Sequence, residues 1–206
     1  MNEIIATIML NFVAADAVSY LARGPLRDPA SYLPQSARLE GPARLPTLPG
    51  SRLHLGVLLA VVLVPAVHVL LWRTVRGFRL RAIGAAPGVA EAAGMDVAAG
   101  IAFALLCSGA LAGLAGIVEV SGVQGRLEDG IAADYGFAGI LVALLGRLHP
   151  AGVLLAALLF ATLSIGAQAM HSALGLPVAL SQVLQVSVIL VALVADALAR
   201  RRAGAR

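Results

Sequence analysis

This sequence predicts an all-α integral membrane protein built as a polytopic helix bundle, on three observations. Of its 206 residues 60% are hydrophobic and only 13% charged, with a mean hydropathy of +0.91, whereas soluble domains hold about 45–50% apolar and about 25% charged residues. Aromatics amount to 4%, so the apolar content is mostly Ala, Leu, Val and Gly, a small-residue mixture that suits closely packed membrane helices; the alternation of a membrane barrel is missing. Finally, five apolar runs each approach the roughly 20 residues that cross a bilayer core. Together these predict a single domain over residues 1–206 with about five spanning helices, one half-helix and a short helix outside the bilayer.

In chain order the spans are 4–22, 53–72, 97–118, 151–170 and 178–199. A Pro-rich loop, 23–52, follows the first. The third span carries a small residue at every fourth position, Gly100, Ala104, Ser108, Ala112 and Gly116, a ridge that lets a second backbone approach closely and so predicts helix packing. A dinucleotide loop in the same stretch is excluded, because neither a preceding strand nor the GxGxxG spacing is present. The run "YGFAGILVALLG" (135–146) is too short to span: at 1.5 Å per residue it covers roughly 18 Å. It reads as a half-helix dipping into the protein, or as a span extended by its polar flank; since broken backbone at membrane depth is tolerated only when shielded by protein or facing water, it predicts a cavity or pathway nearby.

Orientation follows from arginine. Residues 73–81, "RTVRGFRLR", and the tail "RRRAGAR" (200–206) carry four arginines each and no acid, and both read as cytoplasmic. The segment 119–134 has four acids against one arginine and reads as external. Counting spans then places loop 23–52 outside despite its five arginines, partly offset by Asp28 and Glu40.

Composition also excludes chemistry. All fifteen basic side chains are arginine, so a GxxxxGK[ST] phosphate loop and a Schiff-base lysine are impossible. The formal charge of +4 is no sign of nucleic acid, because the arginines flank hydrophobic spans. Cys107 stands alone mid-span, which leaves no disulfide framework and no Cys metal site. No HExxH, GxSxG or paired metal-ligand spacing occurs, and convergence of Ser164, His149 and His171 would be chance; no enzyme, metal or cofactor is expected. The N-terminus "MNEIIATIMLNF" has no basic region or cleavage site of a signal peptide. Polar residues inside spans are costly and face the interior or water: Thr7 and Asn11 at i, i+4, Ser164 and Gln168 likewise, and Ser181, Gln182 and Gln185. Each reads singly as an interhelical hydrogen bond. As a set they make a neutral polar lining suited to hydroxyls and amides, with Asn11, Gln168, Gln182 and Gln185 as the candidate solute contacts. His68, after Pro65, reads as a packed histidine, and Asp16 as reaching the interface.

The stretch "RAIGAAPGVAEAAGMD" (81–96) lies on the arginine-rich side. Pro87 suits the first turn of a helix and Gly94 its C-terminal cap, with about two turns between them. A short helix there is either a docking element or an ordinary loop. The run resembles the cytoplasmic coupling segment of permease subunits of bacterial ABC importers, in the branched-chain amino acid/ribose-type family, whose pattern is approximately "RAxGxNPxAAxxAGI"; Arg81, Ala82, Gly84, Pro87, Ala90, Ala93 and Gly94 match it. "NEIIATIMLN", "GPLRDP", "YLPQS", "SGALAGLAG", "GVQGRL", "YGFAGILVALLGRLHPAGVLLAALLF" and the closing "VAD" are similar to its nucleoside/simple-sugar branch, in order along nearly the whole chain.

The resemblance implies an inner-membrane permease that forms a solute pathway for nucleosides or simple sugars. Its partners would be cytoplasmic ATPase subunits, a second permease subunit and an extracytoplasmic binding protein. Arg81, Gly84, Pro87, Ala90, Glu91, Ala93 and Gly94 would contact the ATPase, and the Pro-rich loop would be external. Two departures stand out: the family's Asn before Pro87 is Ala86, which removes an N-cap side chain, and a commonly basic position is Glu91. The family's early spans have no counterpart, which implies N-terminal truncation. The alternatives are an inactive or structural fragment of such a permease, or a secondary carrier without ATPases; the latter would show inverted repeats, and none is visible.

Overall fold

The computed structural model describes residues 3–47, 50, 53–131 and 135–174, with isolated positions 183, 186, 187, 190, 191 and 194. Among these there are seven α-helices and no strand. They are α1 (Glu3–Arg23), α2 (Leu55–Arg73), α3 (Val75–Ala85), α4 (Pro87–Ala92), α5 (Val97–Val118), α6 (Tyr135–Leu145) and α7 (Pro150–Leu174). Four of the described helices are long and apolar enough to cross a membrane: Ile5–Arg23, Leu55–Arg73, Val97–Gln124 and Pro150–Ala173. They coincide with the first four expected spans; the fifth, 178–199, lies outside the described residues. The expected half-helix is α6, with 11 residues. The fold class read from the sequence holds, with one addition: α3 occupies the arginine stretch, for which no helix was expected.

The chain falls into two compact units, 1–133 and 134–206. In the first, α2 and α5 run antiparallel. Gly56 at the start of α2 faces Val118 at the end of α5, and a Cβ at Gly56 would collide with the Val118 side chain. The 19 residues of α2 span roughly 28 Å at 1.5 Å each, which separates two specialised ends. α2 passes through Pro65 without a break, and the rings of His68 and Trp72 stack at 5.2 Å with 9° between their planes, the packed histidine that the sequence suggests. α5 runs on as a wider π-helical turn, Glu119–Gln124, which ends at Gly125 in the left-handed conformation, φ +71°.

At that end the Pro-rich loop is built into a cap. Ser36 N–H donates to the Leu127 carbonyl (2.8 Å), Leu39 N–H to that of Gly125 (2.8 Å) and Leu45 N–H to that of Ser121 (3.0 Å); Ser36 Oγ accepts from Leu127 N–H at 2.9 Å. Gln35, the buried polar side chain of the cap, is satisfied on both sides. Its Nε2 donates to Ser31 Oγ at 2.6 Å and its Oε1 accepts from Arg126 Nη1 at 2.9 Å. Arg23, in the last turn of α1, closes the arrangement by donating from Nε (3.2 Å) and Nη2 to Asp129 Oδ2.

The second unit is a helical hairpin of α6 and α7. Its turn is tight because Gly146 and Gly152 have no side chains: a Cβ on either would strike the backbone of the other arm. Arg147 and Leu148 take up the reversal at φ +57° and +54°, a conformation rare for residues with a Cβ.

The Arg23 guanidinium, first, and the Ser19 hydroxyl beside it hold the Asp129 carboxyl below its ordinary value. A lowered pKa means that the folded cap binds fewer protons than the unfolded chain, so this contribution is intact above the ordinary carboxylate value of about 3.9 and is lost as pH falls through the lowered one. Amide exchange in residues 24–39 should therefore quicken as pH drops below about 4, after correction for the intrinsic rate. Asp129→Asn should show the faster exchange at neutral pH and less further change on acidification. Equal pH profiles for the two proteins would remove the pair from the cap's attachment.

Candidate functional site

At the other end of α2 the chain makes two short helices and begins α5 within residues 74–99. Thr74 leaves α2 in an extended conformation and its hydroxyl works twice: Oγ1 donates to the Leu70 carbonyl (2.6 Å) and accepts from Gly77 N–H (3.0 Å). This ties off a carbonyl of α2 and an amide of α3, groups that helix ends otherwise leave unpaired. Gly77 is buried against the end of α2, where a Cβ added to it would lie 2.6 Å from Leu71 Cα. No residue with a side chain fits there without backbone movement.

α3 ends at Ala86, which is also the N-cap of α4 and supplies no side-chain hydrogen bond, as expected from the missing Asn. Pro87 stands at N1, where its absent N–H costs nothing. The C-terminal end is better finished. Gly94 sits at φ +80°, its N–H donating to Glu91 O (2.9 Å) and that of Met95 to Ala90 O (3.0 Å), the paired 5→2 and 6→1 bonds of a Schellman cap. Asp96 then caps α5, its Oδ1 accepting from Ala99 N–H at 2.9 Å.

This segment has one anchored face and one free face. Ile83 and Ala90 are 7% and 3% exposed, α4 packs on α3 and α5, and Ile83 Cδ1 fills the space that a Cβ on Gly100 would take. Opposite them Val89 is 71% exposed, and Glu91, Ala92, Ala93 and Gly94 are also exposed. An open groove of about 620 Å³ runs from Glu91 and Met95 along Ala98, Ile101 and Leu105 of α5. Arg81 lies over the Trp72 ring at 5.4 Å and Arg76 over Phe103 at 5.6 Å, so two arginines clip α3 to α2 and α5.

The seven residues of the expected coupling set fall on two consecutive helices: Arg81 and Gly84 on α3, Pro87, Ala90 and Glu91 on α4, and Ala93 and Gly94 in the cap of α4. Of the small-residue ridge on α5, Gly100 meets Ile83, whereas Ala104, Ser108, Ala112 and Gly116 are exposed. Of the polar lining, Asn11 is exposed on α1 in the first unit and Gln168 exposed on α7 in the second. Gln182 and Gln185 lie outside the described residues. Thr74, Gly77, Ile83 and Asp96 were not singled out by sequence reasoning, although a Thr or Asp before a helix is a readable N-cap signal. No group of three or more His, Cys, Asp or Glu that could hold a metal occurs among the described residues.

The family described as branched-chain amino acid transport system / permease component matches residues 1–193 of the chain. The glucose ABC transporter permease protein TsgB13 of Haloferax volcanii is 39% identical over 214 residues, which cover 98% of this chain and 56% of that protein. The guanosine ABC transporter permease protein NupP of Bacillus subtilis is 37% identical over 180 residues, 85% of this chain and 52% of that one. The nucleoside ABC transporter permease protein NupB of Lactococcus lactis is 29% identical over 198 residues, 91% and 54% respectively. The chain spans about half the length of the curated relatives it matches. No solved structure matches it.

The close approach at Gly77 makes a direct test of this construction. Gly77→Ala forces the end of α2 away from α3, and overpacking of this kind costs roughly 1–3 kcal/mol. At Gly109, where nothing lies within 4 Å of an added Cβ, Ala should be neutral or stabilising. Thermal loss of the monodisperse protein in detergent should come earlier for Gly77→Ala and no earlier for Gly109→Ala. Equal stability of Gly77→Ala and the unaltered chain would contradict the geometry.

Proposed function

The chain belongs to the branched-chain amino acid transport system permease family, multi-pass helical proteins of the plasma membrane, and from that premise we propose that it is the permease subunit of an ATP-driven importer. The observation that carries the reading is α4: a short helix, rigidly capped at its C-terminus, anchored through buried Ala90 and offering a small-residue face. In the proposed mechanism this face, with the rest of residues 81–95, seats in a groove on a cytoplasmic ATPase subunit. Closure of the ATPases on nucleotide displaces α4, and the contact of Ile83 with Gly100 passes the displacement to α5. Solute and nucleotide act by binding the inward- and outward-open states with different affinity. The permease supplies a pathway and a lever, and hydrolysis stays on the ATPase.

A second permease subunit and an extracytoplasmic binding protein complete the proposed assembly. Relatives named for glucose, guanosine and nucleosides support a solute of the nucleoside or simple-sugar class. Such solutes are neutral and rich in hydroxyls, which suits amide side chains such as Asn11 and Gln168, with Gln182 and Gln185 assigned the same role.

The lever is tested by two substitutions that differ in kind. Ala90→Pro removes the N–H that donates to Ala86 O at 3.0 Å and costs about 3 kcal/mol, enough to depopulate the intact helix about a hundredfold. Ala93→Trp leaves the backbone alone and adds bulk to the exposed face. In proteoliposomes carrying the permease with its ATPase subunits, both should abolish solute-stimulated ATP hydrolysis and uptake together, with membrane insertion retained. Uptake at the unaltered rate in both variants would reduce residues 81–95 to a connecting loop.

The pathway is tested separately. Asn11→Leu, Gln168→Leu, Gln182→Leu and Gln185→Leu keep approximate side-chain volume and remove hydrogen bonding to solute. Each should raise the half-saturating solute concentration by about threefold to tenfold. The abundance of folded subunit should not change. Unchanged uptake in all four would assign these amides to packing.

A further inference from the structure

Between α3 and α5 lies a second groove of about 240 Å³, with Arg76, Arg79 and Leu80 on one wall and Ile83, Gly100 and Phe103 beneath. We propose that this groove binds an anionic phospholipid, the headgroup phosphate held by Arg76 and Arg79 and the upper acyl chain lying on Ile83, Gly100 and Phe103. Three observations point there. Residues 73–81 carry four arginines, all exposed, and among the described residues no carboxylate lies within ion-pair distance of any of them; the ion pairs that do form use Arg23 and Arg126. Asp96 also lines the groove, but its Oδ1 accepts from the amide of Ala99. Among the described residues the positive charge of α3 thus has no matching acid, and clustered arginines at the edge of a span are the usual counterpart of anionic headgroups.

Depth selects the occupant. Phe103 is six residues into α5 from Val97, roughly 9 Å along the helix, in a span apolar enough to cross the membrane. A soluble protein seated on α4 does not reach that depth, whereas an acyl chain lies there by necessity. The exposed side chains of Val75 and Phe78, 69% and 56% accessible, sit among the arginines in the manner of an interfacial helix, whose apolar groups enter the acyl boundary beside a cationic face. Arg76 meets Phe103 at 5.6 Å, so a cation is already held over the groove floor.

The chain has a single tryptophan, Trp72, whose ring lies under Arg81, next in sequence to the groove residue Leu80. The experiment places the full chain in phosphatidylcholine vesicles that contain a small fraction of phospholipid brominated near the glycerol, as phosphatidylglycerol or as phosphatidylcholine, and reads quenching of Trp72. Brominated phosphatidylglycerol should quench well above brominated phosphatidylcholine at the same fraction. The preference should fall about fivefold for each groove arginine removed, in Arg79→Gln and further in Arg76→Gln/Arg79→Gln. It should persist in Arg27→Gln/Arg38→Gln, at the other end of the unit, and in millimolar inorganic phosphate. Arg79→Gln alone leaves the Arg76–Phe103 contact in place, and unchanged Trp72 emission without quencher shows that the variants are folded. Equal quenching by the two lipids, a preference that survives both groove variants, or displacement by free phosphate would overturn the proposal. So would variants that leave lipid preference unchanged but lose the ATPase subunit, since the arginines would then belong to a protein contact. Transport plays no part in the readout, so failure of the lipid site and failure of the lever are separable.

Discussion

The Thr74 hydroxyl, bonded at once to the Leu70 carbonyl and the Gly77 amide, is the joint on which the first unit turns. A helix end has carbonyls and amides with no intrahelical partner. Thr74 satisfies one from each side of the reversal with a single group. The chain can then fold back so closely that only glycine fits at position 77. Everything at that end follows from the reversal. α3 lies against α2 and α5, Ile83 reaches Gly100, and α4 is carried to the start of α5. The same rule of satisfied ends recurs at Gly94, at Asp96 and, in the second unit, in the turn after α6.

Little of this chain is buried in the usual sense: Ala22, Ile83, Ala90 and Ala156 make up its buried apolar residues among those described. Long apolar side chains point outward, as expected where lipid and other subunits are the surroundings. In lipid, exposure of Leu or Val carries no penalty, and association rests on close packing and on hydrogen bonds. The contacts that define the fold accordingly sit at glycines: Gly56 against Val118, Gly77 against Leu71, Gly100 against Ile83 and Gly146 against Gly152. The exposed remainder of the α5 ridge is the same kind of surface without a partner in this chain, which is consistent with a subunit that packs against others.

How much was legible in the sequence depended on the range of the interaction. The first four spans were readable because length and hydropathy are local properties, and their boundaries fell within a few residues of the helices. Pro87 and Gly94 were readable because each has a steric preference tied to one end of a helix. α3 was not, since four arginines in nine residues erase the apolar periodicity that marks a helix; its stability comes from the Thr74 cap and the packing of Ile83. The cap was least visible of all. Its loop is Pro-rich and irregular, and its bonds join residues about ninety positions apart, Gln35 to Arg126 and Ser36 to Leu127, which no local pattern encodes. Arginine counting placed that loop against the charge rule, and the structure shows where two of those arginines go: Arg23 to Asp129, Arg44 against Gly125.

The lever proposed for α4 must be stiffer than the surface it pushes, and the helix reaches stiffness by an unequal route. Its N-terminus has no capping side chain at Ala86, a loss worth roughly 0.5–2 kcal/mol, while its C-terminus holds the full Schellman pair. The imbalance is tolerable because Ala86 N–H still donates to Ala82 O at 3.0 Å, so α3 and α4 share a junction residue and support each other. Glu91 is the second departure. It lies exposed, one residue from the C-terminal end of α4, where the helix dipole is negative and a carboxylate is disfavoured by about 0.3–1 kcal/mol. A charge placed against both the dipole and the basic preference of similar permeases gains nothing for this helix alone. On the proposed reading, compensation for this charge would have to come from across the interface, from the surface that seats α4.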